Sequence, residues 1–489
     1  MIFSEVSTKP LLLKPKGTRL APSSLAAERY GTYDMVQIWG SDRTFEMQLK
    51  VQAEASNTLS RLHPDVVPPS DAAEIVQKAN LKYISADHIR ELEEQTGHDV
   101  IAVNTGLEEV LSSDGVRFHV NKIRTSADTT QSARAIQFKQ SLEVVAGSIE
   151  NLRDILIEKG ESWQDFPHMD TTHLYDAMPT VAGRPFVHYA EMLQSGLDFL
   201  KFVYDNSLKG KWGDATGNHH SAKTLGIDGL VLEAEYCKTL GIGKMIAPAQ
   251  VPGLEFEADV QYVLSRLGET LGNIVEYIAT GRGDDSNVFV NANPSKKKGS
   301  SAMPHKDAKN GNPTAEEQVI SLVNYLRGNM STSLSNCRMP YARNLSASAS
   351  ARINFEDGFK FFDHCVRRLA STVYWLGLHE DQAKERVERS YGAVTSPQIL
   401  AYLTDGRMTS NPLGRSVAHD LVGSLATQAW NEHIPFIDVL LSNIEVTSRI
   451  PEAQLRTLAN PLEYSGESKR IIKAVKDAYY QKPTLPRAA

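Results

Sequence analysis

The chain has 489 residues, which is too long for one simple hydrophobic core and suits two or three domains. Its apolar content of 41% and charged content of 23% are typical of a globular protein, and a net charge of −7 argues against a general nucleic-acid or membrane-surface binder. Three widely spaced cysteines form no CxxC pair, and no stretch approaches the roughly 20 apolar residues of a membrane span or the pattern of a signal peptide. We therefore expect a cytoplasmic protein without a metal cluster.

Apolar residues recur at helical spacing along most of the chain. The clearest stripe steps by three and four residues and comprises Leu142, Val145, Ile149, Leu152 and Leu156. Residues 319–327 and 355–376 show similar spacing, with charged residues interspersed. Long helices of this kind bury their apolar stripes best against one another, so the sequence predicts an all-α protein built around a helical bundle.

Two shorter patterns lie outside these long helices. Leu413, Val417 and Leu421 predict a further helix, with Asn411-Pro412 as its start signal. Strand-like alternation is scarce, and its best candidate is the run 115–120.

Changes in composition predict three domains. A polar, proline-rich leader and shorter helical segments make up an amino-terminal helical domain over residues 1–124. The long helices form a central bundle domain over residues 125–376, and shorter helices form a carboxyl-terminal domain over residues 377–489.

Several polar segments interrupt the helical pattern, and they hold the residue types that can do chemistry. In chain order they are residues 29–30, 97–100, 124–128, 171–180, 213–220, 299–313 and 341–353. The segment 299–313 follows three lysines (296–298) and has no apolar periodicity, so packing does not explain it. Its serines lie beside backbone amides and Lys306, and such a setting can hold an alkoxide once a closing loop excludes water.

Residues 299–306 read Gly-Ser-Ser-Ala-Met-Pro-His-Lys and resemble the GSSxMPxK signature of the fumarase/aspartase superfamily, in the form of its adenylosuccinate lyase branch. The resemblance covers nearly the whole chain in the same three-part order. It implies a three-domain, all-α fold with a central bundle of long helices. It also implies β-elimination of fumarate from adenylosuccinate, giving AMP, and from the succinylated aminoimidazole carboxamide ribotide of purine biosynthesis. Members of the family are homotetramers whose active sites are shared between subunits.

The resemblance suggests which residues transfer protons. Residues 171–180 look like the family's THxxxAxPT segment, whose histidine is the general acid, and place His173 in that role beside Thr172. Imidazole suits the protonation of a leaving nitrogen at neutral pH. Ser300 is the expected base, and Ser301 is an adjacent rival that the sequence does not separate from it.

Other matching residues would hold the substrate carboxylate and the charge that develops on it. Thr125 and Ser126 resemble the family's TSSD turn, and a helix start of this kind offers free N–H groups to an anion, whether or not Ser126 is also the N-cap. Lys306 and Asn312 would stabilise the carbanion, and Met303 would contact substrate within the loop. The expected chemistry needs neither a metal nor an organic cofactor.

Two further segments supply expected substrate contacts. Residues 97–100 resemble the family's RHDV segment, whose histidine sits near the phosphate and ribose, which points to His98. In the glycine-bounded segment 213–220, Asn218 and His219 would contact the substrate carboxylate. The His219-His220 pair predicts no metal, because adjacent helical side chains point apart and no third ligand is evident nearby.

A phosphate site is implied by two separate segments. Arg29-Tyr30 resembles the family's phosphate-binding RY segment, and Arg343, Ser348 and Arg352 resemble its ERxLxxSxxxRI element. Guanidinium groups match phosphate oxygens in two-pronged hydrogen bonds, so these residue types suit that role.

The chain departs from the family pattern at several positions. Gly97 replaces an arginine, Met178 replaces a glutamine or glutamate, and Ala342 replaces a glutamate. Four extra residues separate Lys306 from Asn312. Such an insertion costs little in loop entropy, but a small misplacement of reacting groups costs about 100-fold in rate.

These departures leave two alternatives open. One is a related superfamily lyase or cycloisomerase acting on another succinyl-type or muconate-type substrate, although Arg29, Arg343 and Arg352 argue against a substrate without phosphate. The other is a catalytically silent structural homologue, against which the presence of Ser300 and His173 argues.

Overall fold

The computed structural model describes residues 1–2, 6–12, 25–293, 300–306 and 311–485. Lys296, Lys297, Lys298, Gly299 and the inserted residues 307–310 therefore lie outside the described parts of the chain. Where it is described, the chain is predominantly helical with three small two-stranded sheets, which confirms the predicted all-α fold. None of the helices that the structure describes is both long and apolar enough to cross a membrane.

Short and medium helices open the chain, long helices occupy its middle, and short helices close it. The first group comprises α1 (Leu25–Tyr30), α2 (Tyr33–Trp39), α3 (Ser41–Leu62), α4 (Pro69–Lys78), α5 (Ala86–Thr96), α6 (Asp99–Val110) and α7 (Asp114–Arg117). The second comprises α8 (Ser126–Ser162), α9 (Arg184–Asn206), α10 (His220–Thr224), α11 (Gly229–Leu240), α12 (Glu255–Arg282), α13 (Thr314–Asn336) and α14 (Ser348–Tyr374). The third comprises α15 (Glu380–Glu388), α16 (Ser396–Thr404), α17 (Arg415–Glu432), α18 (Phe436–Ser442), α19 (Ile444–Thr447), α20 (Glu452–Leu458) and α21 (Ser468–Tyr479).

The strands are short. They are β1 (Pro167–Thr172), antiparallel to β2 (Tyr175–Val181); β3 (Lys209–Gly210), parallel to β4 (Gly243–Lys244); and β5 (Phe289–Asn291), antiparallel to β6 (Leu376–Leu378). Single turns of 3-10 helix cover Asp214–Thr216 and Ala393–Thr395.

A bundle of long helices forms the centre of the molecule. Helix α8 packs against α9 and α14, and α12 packs against α9, α13 and α14. The predicted stripe of α8 is completely buried in the largest core cluster, together with apolar residues of the other four helices. Helix α13 contains the predicted segment 319–327, and α14 contains the predicted segment 355–376 up to Tyr374, where the helix ends before β6.

Three smaller clusters of buried residues lie outside this largest core. Helices α3 to α7 share one apolar cluster, and α3, α8 and α11 share a second. Helices α16 to α20 enclose a separate cluster in the carboxyl-terminal region. The division at residues 124 and 376 stays a prediction.

The predicted strand over residues 115–120 is wrong. Its first part belongs to α7, where the Ser113 side chain caps the helix by accepting a hydrogen bond from the Val116 N–H. Val116 and Val120 are both buried in the same cluster, and a spacing of four brings two side chains to one side of a helical turn. The buried residues of this segment therefore follow helical rather than strand periodicity.

The predicted carboxyl-terminal helix exists, but one of its three predicted apolar residues is exposed. Helix α17 begins at Arg415, after Gly414, and Val417 is 61% exposed. The buried residues of α17 are Ala418, Val422, Leu425 and Ala429. Leu413 and Leu421 pack, partly buried, against the same cluster, so Val417 is the predicted residue that lies off the buried face.

Candidate active site

A cavity of about 1010 Å³ brings one set of predicted phosphate ligands together. Its lining includes Trp39, Asp99, Arg134, Arg343, Ser348 and Arg352, and we call it the arginine cavity. These residues come from α2, α6, α8, the loop before α14 and α14 itself. Segments more than 200 residues apart in the sequence thus meet around one space.

Arg343 is the least compensated cation of this group. Its Nη1 donates a hydrogen bond to the amide oxygen of Gln250 at 3.3 Å, and no carboxylate among the described residues pairs with it. Burial, and after it the positive charges of Arg134 and Arg352, lower the pKa of the Arg343 guanidinium despite the opposing charge of Glu257. Arg343 also has a φ of 88°, an uncommon conformation for a residue with a side chain. A half-buried guanidinium among like charges favours binding of an anion.

Two other predicted residues complete this end of the cavity. Ser348 is the first residue of α14, so the positive end of a 27-residue helix faces the same region. Arg352 Nη2 lies 3.3 Å from Asp99 Oδ2, and His98 is the N-cap residue of α6 next to Asp99. The segments containing His98 and Arg352 are therefore adjacent, as a shared site requires.

Arg29 and Tyr30 lie elsewhere in the protomer. The Tyr30 ring packs edge-on against Phe361 and His364, with centroid distances of 6.3 and 5.6 Å, and Arg29 is exposed. Phe361 lies nine residues beyond Arg352 on α14, which corresponds to about 13 Å along the helix. One chain therefore does not bring all the predicted phosphate ligands into one cavity.

The two segments predicted to bind the substrate carboxylate share one buried carboxylate, that of Asp128. Its Oδ2 accepts the Thr125 N–H at 2.9 Å, and its Oδ1 accepts the Gly213 N–H at 3.2 Å. Lys211 donates a hydrogen bond from its ammonium to the same Oδ1. Thr125, rather than Ser126, is the N-cap of α8, and Thr125 and Asp128 form a capping box. The start of α8 and the polar break after β3 are thus held together.

Asn218 and His219 differ in how they are held. Asn218 is exposed, and its Nδ2 donates to Thr216 Oγ1 at 3.1 Å. The ring of His219 covers Gly229 at the start of α11, where any Cβ would collide with it. Its Nε2 lies 4.0 Å from a carboxylate oxygen of Glu233 and has no hydrogen-bond partner among the described residues. His219 is therefore positioned mainly by packing.

The signature loop arranges its polar groups locally. Ser300 Oγ accepts hydrogen bonds from the N–H groups of Ala302 and Met303 at 3.3 and 3.1 Å, whereas Ser301 is exposed. Lys306 Nζ donates to Asn312 Oδ1 at 3.0 Å. That hydrogen bond joins the two ends of the four-residue insertion, so the insertion leaves Lys306 and Asn312 in contact.

The predicted acid lies at the tip of the β1–β2 hairpin. His173 and Leu174 form its two-residue turn with φ values of 54° and 68°, although such turns favour Asn-Gly. Residues 171–175 are all exposed, and Leu174 is 93% exposed. Among the described residues His173 makes no hydrogen bond to the signature loop or the arginine cavity. Thr172 and His173 therefore project away from their own protomer.

Sequence reasoning missed two groups near these segments. Lys211 is fully buried against Asp128, and Arg134 lines the arginine cavity. The signal for Arg134 was a single cation in the run Ala133-Arg134-Ala135-Ile136, where a long helix otherwise presents small and apolar residues. Nothing in the local pattern around Lys211 indicates burial.

Comparison with known proteins identifies the family. A family model described as lyase matches residues 28–327, which is more than half of the chain. The chain belongs to this lyase family. A second model, described as adenylosuccinate lyase C-terminus, matches residues 392–475. These matches confirm the resemblance to the adenylosuccinate lyase branch of the fumarase/aspartase superfamily and make the chain an enzyme of the lyase class.

Curated relatives match along nearly their whole length. The adenylosuccinate lyase of Methanocaldococcus jannaschii is 28% identical over 448 residues, covering 91% of this chain and 94% of that protein. The adenylosuccinate lyases of Pyrococcus abyssi and Streptococcus mutans are 26% and 25% identical, each over 91% of this chain and over 96% and 98% of their own lengths.

Solved structures show the same fold at lower identity. A fumarate lyase from Mesorhizobium sp. BNC1 matches with a TM-score of 0.77 at 18% identity, covering 91% of this chain and 98% of its own. A 3-carboxy-cis,cis-muconate lactonizing enzyme from Pseudomonas putida matches with a TM-score of 0.79 at 17% identity, covering 94% and 100%. At such identities the likeness concerns the fold alone.

Proposed function

We propose that this lyase eliminates fumarate from adenylosuccinate to give AMP, and acts likewise on the succinylated aminoimidazole carboxamide ribotide. The observation that carries the proposal is the arginine cavity, in which Arg343 has no carboxylate partner among the described residues while Arg134 and Arg352 add positive charge. A phosphate ester would supply the counter-charge that Arg343 lacks, whereas a substrate without phosphate would leave Arg343 without one. The curated relatives that match over 91% of the chain carry the same activity in their names.

The proposed reaction is a stepwise β-elimination. Ser300 removes a proton from the carbon beside a succinyl carboxylate, and the electron pair delocalises into that carboxylate. The two amides that donate to Ser300 Oγ stabilise its alkoxide form, which supports Ser300 over Ser301 as the base. His173 then protonates the departing nitrogen as the carbon–nitrogen bond breaks, and fumarate leaves.

The developing negative charge on the carboxylate would be stabilised from two sides. Lys306, kept beside Asn312, supplies a positive charge from the signature loop. The start of α8, at Thr125 and Ser126, supplies the positive end of a helix, with the Thr125 N–H already donated to Asp128. No step of this mechanism calls for a metal or an organic cofactor.

The same geometry supports completion of the site by other subunits. The His173 hairpin tip is exposed, and Arg29 and Tyr30 lie outside the arginine cavity of their own chain. We therefore propose a homotetramer in which exposed segments of neighbouring subunits complete each site, in a cytoplasmic enzyme with domains at residues 1–124, 125–376 and 377–489.

The test is fumarate release from purified protein, measured in parallel with adenylosuccinate and with the same compound lacking its phosphate. We expect turnover of adenylosuccinate, and a kcat/KM for the dephosphorylated compound that is lower by a factor of about 100 or more, because charge-assisted contacts to phosphate are lost. Absence of fumarate from adenylosuccinate, with folded protein, would refute the proposal. Equal kcat/KM values for the two compounds would refute the role of the arginine cavity.

A further inference from the structure

Arg134 is a third guanidinium in the arginine cavity, and none of the family motifs includes it. It lies on α8 and lines the same cavity as Arg343, Ser348 and Arg352. Its charge is close enough to Arg343 to lower the pKa of that guanidinium. Arg134 therefore belongs to the group of cations that an anionic ligand in this cavity would meet.

The Arg134 guanidinium is held in place before any ligand arrives. Its Nη1 donates to Glu257 Oε1 at 2.8 Å, and Glu257 is only 4% exposed. The same oxygen accepts a hydrogen bond from Gln131 Nε2 at 2.9 Å, which fixes the carboxylate. The guanidinium also lies 5.7 Å from the centre of the buried Phe355 ring. A donor fixed in this way loses little conformational entropy on binding.

Part of this guanidinium remains available to a ligand. The side chain is 20% exposed, and within the described residues only Nη1 of Arg134 donates a hydrogen bond. The N–H groups on its Nε and Nη2 atoms are therefore available to donate hydrogen bonds to a ligand in the cavity.

The balance of charge indicates which anion fits. Glu257 pairs with Arg134 and Asp99 with Arg352, while Arg343 pairs only with an amide. The other charged groups of the lining pair with one another, Arg43 with Glu46, Arg90 with Asp42 and Lys360 with Glu356, and Glu93 adds one carboxylate. The unpaired charge of Arg343 and the positive end of α14 therefore mark the end of the cavity that favours an anion. A doubly charged phosphate monoester presents more negative charge and more unprotonated oxygens to these donors than its singly charged form.

We propose that Arg134 is a specificity-determining residue that makes the cavity prefer the doubly charged phosphate monoester to the singly charged form. The proposal deepens the proposed function, since it rests on the arginine cavity being the phosphate site. Arg134 takes no part in proton transfer, so the proposed determinants of kcat are Ser300 and His173.

The test compares AMP and adenosine binding to full-length wild type, Arg134→Met and Arg134→Lys by calorimetry at pH 5.5 and 7.5. The second phosphate pKa of AMP is about 6, so these two conditions change the charge of the ligand. At pH 7.5 we expect Arg134→Met to weaken AMP binding about tenfold or more, with a smaller loss at pH 5.5 and no change for adenosine. Arg134→Lys should restore part of the affinity, because it retains a positive charge without the fixed fork.

The matched control is Arg61→Met, which removes the same charge. Arg61 is 50% exposed, pairs with Glu235 at 3.2 Å and does not line the cavity, so we expect unchanged AMP binding. Equal losses for AMP and adenosine in Arg134→Met would indicate a structural role and overturn the proposal. An unchanged affinity of Arg134→Met for AMP would also overturn the proposal, and so would a wild-type protein that does not bind AMP. Because binding is measured without turnover, a protein that binds AMP through Arg134 but releases no fumarate would refute only the proposed reaction.

Discussion

Lys211 and Asp128 form an ion pair in which neither side chain is exposed to solvent. The Lys211 ammonium also donates to the backbone oxygen of Asp214 at 2.7 Å, while Asp128 accepts the Thr125 and Gly213 N–H groups. One buried pair therefore connects the start of α8 to the polar break after β3. These are the two segments proposed to hold the substrate carboxylate, so the pair fixes their relative position.

Removal of one partner of this pair should destabilise the protein strongly. In Lys211→Met the carboxylate of Asp128 stays buried without its counter-charge, and loss of one partner of a buried pair costs about 3–5 kcal/mol. We expect a clear drop in the denaturant midpoint followed by circular dichroism. The control is Lys201→Met, because Lys201 forms an exposed pair with Asp205 at 2.7 Å and exposed helix pairs contribute only about 0.3–0.5 kcal/mol.

A double variant separates charge from packing. Lys211→Met combined with Asp128→Asn removes both charges, so part of the lost stability should return. A Lys211→Met midpoint equal to that of Lys201→Met would contradict the importance assigned to the pair.

Two buried histidines should make the protein less stable in mild acid. Burial and the charge of Arg386 lower the pKa of His168 to about 4 despite the opposing effect of Asp176, and burial and Arg368 lower the pKa of His364 to about 4. An unfolded histidine titrates near pH 6.5, so between about pH 6.5 and 4 the unfolded chain binds protons that the folded chain does not. Stability is therefore fully present above about pH 6.5 and is lost as the pH falls toward 4, by roughly 3 kcal/mol for each imidazole.

The melting temperature across this pH range checks the prediction. His364→Gln should flatten the decline, because glutamine does not titrate. His419→Gln should not, since His419 is exposed. A decline in His364→Gln as steep as that of wild type would rule out this contribution.

The sequence predicted the structure best where an element depends on the local spacing of apolar residues. The stripe from Leu142 to Leu156 predicted α8 because a helix repeats every 3.6 residues, and all of it is buried. It was least informative where contacts are distant. Arg352 pairs with Asp99, and Arg134 lines the same cavity, only because of how whole helices pack against one another. The sequence also contains no local signal for the hairpin turn at His173, since its left-handed residues are not the usual Asn-Gly.

Replacement of His173 should abolish most of the activity and leave the fold intact. His173→Ala removes the proposed proton donor, and positioned general acids contribute about 10²- to 10⁴-fold. The side chain lies on an exposed hairpin tip without hydrogen bonds among the described residues, so we expect an unchanged melting temperature. The readout is the rate of fumarate release, with exposed His419→Ala on α17 as the control that should retain full activity. A residual kcat within about threefold of wild type would exclude His173 as the acid.

Matched alanine variants of the two adjacent serines decide which one is the base. Ser300 Oγ accepts two backbone N–H groups, while Ser301 is exposed, so only the Ser300 alkoxide is stabilised by fixed donors in the loop. We expect Ser300→Ala to lower kcat by about 10² or more, and Ser301→Ala to lower it by less than about tenfold. Both changes remove one hydroxyl from the same loop, so each variant controls for the other in folding and loop closure. If Ser301→Ala proved the more damaging, the amide contacts of Ser300 would represent a turn that shapes the loop, and the proton abstraction would belong to Ser301.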